Sequence, residues 1–231
     1  MRSLATATLL TTALVLVAGC TSFPDPNPRP DQGDHLEDPV SVDRGSADEV
    51  SLSLTGRATS ITIGTDAPAG DLLEVQATGP DSRPGIEDSD DTRVVALDGG
   101  AAVVRLADDV DWTIDLSAGA DAVDADLDDT TVSGLVLDAG ARSVELTLPA
   151  PDGTVAIDQR AGADHLVLHL PDDVGARVTV TSGAGSADID GETTQGIGAG
   201  TVLTTDAFDE DADHYELTVA GGLGSLTIDR G

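Results

Sequence analysis

Four histidines, 43 acidic residues and a single cysteine are the side chains of this 231-residue chain with the most obvious capacity for chemistry. Of the histidines (35, 165, 169 and 214), His165 and His169 have the spacing of a helical metal pair. Their setting is not helical. Leu166, Leu168 and Leu170 alternate with His165, Val167 and His169, the period of a strand with one buried face. Four residues along a strand span about 13 Å, whereas a zinc ion holds its ligand nitrogens about 2.0–2.1 Å away. The two read as surface histidines, and no metal ligands are assigned. The aspartates suggest calcium, which takes six to eight oxygens. Neither an Asp-x-Asp-x-Asp-Gly loop closed by Glu nor a Gly-Gly-x-Gly-x-Asp repeat is present, so no specific calcium site is expected.

Other catalytic signatures fail in the same way. Gly196-Ile-Gly-Ala-Gly200 lacks the third-glycine spacing of a dinucleotide loop, a following helix and a lysine, and reads as a turn. There is no Gly-x-Ser-x-Gly elbow and no His-Glu-x-x-His. Paired carboxylates of the glycosidase kind could hide among the acids. However, Phe23, Trp112, Phe208 and Tyr215 are the only aromatics, too few for sugar-stacking subsites. The sequence therefore assigns no catalytic residue and no cofactor, and the expectation is that the protein is not an enzyme.

The cysteine is a different matter. Arg2 precedes an apolar run from Leu4 to Ala18, and small residues lead directly into Cys20. This is the plan of a secretory signal, and about 15 apolar positions fall short of the roughly 20 that span a bilayer. Val17-Ala-Gly-Cys20 resembles the lipobox of bacterial lipoproteins. The resemblance implies cleavage before Cys20 and diacylglyceryl transfer to its thiol. With two or three acyl chains, attachment would be stable. As Cys20 is the lone cysteine, no intrachain disulfide can form.

Residues 1–19 thus read as a signal peptide, leaving a mature chain with 10 arginines, no lysine and 43 acids, a formal charge of −33. That field repels nucleic acid and anionic headgroups, so nucleic-acid binding is excluded. Residues 20–47 carry Pro24, Pro26, Pro28 and Pro30, then Asp, Gly and Ser, with little to bury. Alternating prolines favour an extended tether of about 3.1 Å per residue, reaching on the order of 80 Å.

Residues 48–231 repeat. Gly119, Gly140, Gly162 and Gly183 are spaced 21, 22 and 21 residues apart, each after an alternating apolar run and before another. Leu127, Leu148 and Leu170 keep the same interval, followed by acidic or Pro-Asp turns such as Asp128-Asp129 and Pro171-Asp-Asp173. Weaker copies surround Gly56 and Gly100, and another runs from Leu217 to Ile228. The expected fold is all-β. Near-constant spacing favours a parallel β-solenoid of about 21-residue coils stacked in register. An antiparallel β-sandwich of hairpins bent at Ala-Gly is the alternative.

Trp112-Thr-Ile-Asp-Leu-Ser-Ala-Gly-Ala120 and Tyr215-Glu-Leu-Thr-Val-Ala-Gly-Gly-Leu-Gly-Ser-Leu-Thr-Ile-Asp229 resemble the repeat units of toast-rack, "putative adhesin" β-helix domains. They are also similar to the related C-terminal domains of cell-wall-antibiotic response regulators. The resemblance covers roughly residues 48–231 and implies a right-handed parallel β-helix with adhesion or envelope-stress signalling as its role. It carries no functional residues across. The chain is therefore expected to be a lipid-anchored, non-catalytic envelope protein on the extracytoplasmic face of the cell membrane. Its expected partners are the membrane, through the anchor, and an unknown envelope protein or surface ligand. The competing expectations are a structural or cation-binding surface protein and an enzyme acting on envelope polymers.

Overall fold

The computed structural model describes residues 38–79, 82, 84–89 and 91–231. The expected signal peptide, Cys20 and residues 20–37 of the tether lie outside the described residues. All the regular structure described is β. The first strands are β1 (Val40–Asp43), β2 (Glu49–Arg57), β3 (Ser60–Gly64), β4 (Asp71–Thr78), β5 (Gly85–Ser89), β6 (Thr92–Asp98) and β7 (Ala101–Leu106). Then come β8 (Asp111–Leu116), β9 (Ala120–Asp126), β10 (Thr131–Leu137), β11 (Ala141–Thr147), β12 (Thr154–Gln159) and β13 (Ala163–Leu170). The last are β14 (Gly175–Val180), β15 (Ala184–Ile189), β16 (Glu192–Ile197), β17 (Thr201–Thr204), β18 (His214–Val219) and β19 (Leu223–Arg230).

They form two mixed sheets. Sheet A runs β1-β4-β7-β3-β9-β11-β13-β19-β15-β16, and sheet B runs β17-β14-β18-β12-β10-β8-β2-β6-β5. From β8 to β13 the chain alternates between the sheets. Each strand pairs in parallel with the strand two elements later, β8 with β10, β10 with β12, β9 with β11, and β11 with β13. Antiparallel pairs occur toward the sheet ends: β1 with β4, β4 with β7, β5 with β6, β15 with β16 and β14 with β17.

The alternating side chains line up across these ladders. In sheet B, Leu52, Ile114, Leu135, Ile157, Leu217 and Val178 occupy one register and are all buried. In sheet A the equivalent row is Ile61, Val123, Val144, Leu166, Leu226 and Ala187. Both rows belong to one hydrophobic core, which also takes in Leu127, Leu148 and Leu170. Trp112 and Tyr215 are buried with their polar tips satisfied. Trp112 Nε1 donates to Ala107 O at 3.0 Å, and Tyr215 Oη donates to Pro149 O at 2.8 Å. Gln159 interrupts an aliphatic row at 1% exposure, donating from Nε2 to Ala161 O while its Oε1 has no partner among the described residues.

Order along the stack departs from order along the chain. The β18–β19 unit is seated between β12–β13 and β14–β15. At the other end β2–β3 sits between β6–β7 and β8–β9. The even spacing of Gly162 and Gly183 suggests adjacent units, yet Gly162 lies against Gly222 instead. The folded region also starts earlier than residue 48, because β1 is drawn from the stretch read as tether. There Arg44 Nε pairs with Asp109 Oδ1 at 2.9 Å.

Candidate interaction surface

Strand alternation places His165 and His169 on the outer face of sheet A, as their parity requires. They do not converge. His165 is exposed, with Nδ1 2.9 Å from Ser225 Oγ on β19. A serine nucleophile needs its histidine oriented by a third group, and among the described residues His165 has no carboxylate partner. His169 is half-buried and clamped between two strands. Its Nδ1 contacts Asp229 on β19, and its Nε2 lies 3.2 Å from Glu145 Oε1 on β11. Burial pulls its pKa down, but the hydrogen bonds its ring donates to Asp229 and Glu145 outweigh this and hold it above the ordinary histidine value. His214, by contrast, is buried at 3% exposure, with Nδ1 2.7 Å from Ala212 O and its ring edge-on to Phe208. Arg177 lies over Phe208 and pairs with Glu216, so this corner is braced by its own residues.

The acidic turns stay on the surface. The Asp128 carboxyl is held above the usual carboxylate range, first by partial burial and then by the charges of Asp126 and Asp129. Among the described residues no group of three or more His, Cys, Asp or Glu side chains is arranged to hold a metal ion. Gly196 to Gly200 joins β16 at one edge of sheet A to β17 at one edge of sheet B, with positive φ at Gly196 and Gly200.

The feature that sequence reasoning missed is the end of the stack beside this turn. A cleft of about 470 Å³, counting its open mouth, lies between the last strands of the two sheets. Ala187, Ile189 and Leu203 give it an apolar floor; Glu192, Thr194 and Asp206 give it a polar rim. Register explains the lining. Thr194 and Glu192 pair with Ala187 and Ile189 of β15, so they share the core-facing side of sheet A but extend beyond the core. The available signal was an apolar alternation that stops at Glu192 and resumes weakly at Val202.

No family model matches the chain, and no curated protein matches it. Among solved structures, a crystal structure described as "a putative cell adhesion protein from Clostridium sporogenes" is similar in fold. The TM-score is 0.63 at 15% sequence identity, over 85% of this chain and 100% of that one.

Proposed function

We propose that this chain is a lipid-anchored, non-catalytic module on the extracytoplasmic face of the cell membrane. Cys20 holds it there, and it presents a solenoid-like β-stack, right-handed as the repeat resemblance implies, for adhesion to an envelope or surface protein. The observation that carries this reading is the fold likeness to the putative cell adhesion protein, which runs the whole length of that chain. The strand faces support it as well. Their outward positions are largely polar, among them Ser51, Ser53, Asp124, Glu145, His165 and His169, so the molecule offers extended surface for a partner.

The test is crosslinking of the full-length protein in its own cells, with palmitate labelling in parallel. Label that depends on Cys20 and capture of a surface protein or matrix component are the expected results. Capture of a membrane sensor would favour envelope-stress signalling instead. Palmitate that persists in a Cys20→Ser variant would overturn the anchor.

A further inference from the structure

We infer that the cleft at the C-terminal end of the stack, together with the free edge of β17, is a docking site for an extended, cationic peptide segment of a partner protein. The inference deepens the adhesion reading by naming a surface and the chemistry of its occupant. Its failure would leave that reading standing, because a partner could still be held by the sheet faces.

Three observations converge on this end. First, among the described residues β17 pairs only with β14 and is the last strand of sheet B. Half of its backbone N–H and C=O groups therefore point where no strand follows, which is the template an added strand uses. The neighbouring edge of sheet A serves less well, since β16 carries Gly196 at a φ of 66° and is polar from Glu192 to Gln195. Second, Val202 in the middle of β17 is 55% exposed. Natural edges are blunted by charge, proline, a bulge or shortness; Thr201-Val-Leu-Thr204 is short, at four residues, but carries no charge or proline. Third, the cleft alongside is charged in one sense. Asp190 is neutralised by Arg230, whose Nε and Nη2 each lie 3.1 Å from its carboxylate oxygens. Glu192 and Asp206 have no cationic partner among the described residues, and both line the cleft.

These features select the occupant. A strand laid along β17 would turn alternate side chains toward Leu203 and the cleft, where aliphatic groups meet the floor and Arg or Lys meets Glu192 and Asp206. A second copy of this chain is the wrong partner, because two bodies of formal charge −32 would meet through unneutralised carboxylates.

The probe is a ten-residue peptide alternating valine and arginine, titrated into full-length protein at physiological salt. Amide hydrogen exchange is followed site by site, with a valine–glutamate peptide as control. Saturable one-to-one binding with slowed exchange at residues 201–204 is expected. The pair Glu192→Lys with Asp206→Lys, both exposed, should weaken binding at least tenfold, whereas Asp152→Lys with Asp172→Lys should leave it within about twofold. Equal loss for the two pairs, or protection spread over the sheet faces, would overturn the proposal in favour of a diffuse counterion effect. Protection of β17 by self-association without peptide would overturn the choice of occupant, and the absence of any binding would overturn the site.

Discussion

The middle of the stack and its two ends are built from the same repeat but obey different rules. From β8 to β13 each unit follows the last in sequence and in space, and strands two elements apart share a parallel ladder. At either end a unit distant in sequence is seated between neighbours: β2–β3 at one end and β18–β19 at the other. The outermost layers then turn antiparallel. Consecutive stacking minimises loop closure and keeps the period visible. Inserting the last unit one layer inside the end ties β14–β17 to the rest through chain that is synthesised after them. The β18–β19 unit therefore acts as a wedge rather than as a terminal repeat.

Deleting residues 214–231 would break this arrangement most severely. It removes the buried side chains of Tyr215, Leu217, Val219, Leu223, Leu226 and Ile228. At about 1.5–3 kcal/mol each, the loss is on the order of 10 kcal/mol, comparable with the whole stability of an ordinary domain. The deletion also strands β14–β17, which among the described residues joins the rest of both sheets only through β18 and β19. Loss of a single cooperative thermal transition and rapid proteolysis between residues 171 and 205 are expected. Survival of the β14–β17 segment in protease-resistant form would mean that the wedge is dispensable.

Glycines sharpen the same contrast. A Cβ on Gly119 would meet nothing closer than Gly140 O at 3.8 Å, and its φ is not in the left-handed region. Gly221, in the wedge, is different, since a Cβ there would overlap the Ala161 carbonyl and crowd Gln159 Nε2. Gly119→Ala should be neutral or stabilise by up to about 1 kcal/mol through the unfolded chain. Gly221→Ala should destabilise by about 1–3 kcal/mol through overpacking. Denaturant midpoints of the two variants measure the difference, and equal shifts would show that both bends tolerate a methyl group alike.

The same division explains what was legible in the sequence. Strand identity and facing were, because alternation is local: Leu127, Leu148 and Leu170 are buried, and His165 faces out. Neighbour order was not. Gly162 and Gly183 keep the common interval although another unit lies between them, and nothing in Leu217–Ile228 distinguishes a wedge from a terminal repeat. The end cleft was hidden for a related reason. Glu192 looks like one more surface acid until its pairing with Ile189 places it on the core-facing side of the terminal strand. The clamp on His169 depends on β19 lying beside β13, a contact 60 residues apart in the chain.

That clamp carries the smallest expected effect and reports on the wedge directly. His169 links β11, β13 and β19 through Glu145 and Asp229. Its pKa is raised in the folded chain, burial opposing and the two carboxylates prevailing. A raised histidine pKa favours the folded state when the ring is protonated. The contribution is therefore fully present below the unfolded value of about 6.5, and is lost as pH rises through the higher folded value. With the ring partly exposed and solvent screening both acids, its size is about 0.2–1 kcal/mol. His169→Gln should leave stability nearly unchanged at pH 8 and lower it at pH 6, flattening that part of the profile. Asp229→Asn should remove most of the same pH dependence from the wedge side, and Glu145→Gln a smaller share from the middle of the stack. If Glu145→Gln alone abolished it, β19 would not be contributing to the clamp, and the packing of the wedge against β13 would have to differ from the register in which His169 faces Asp229.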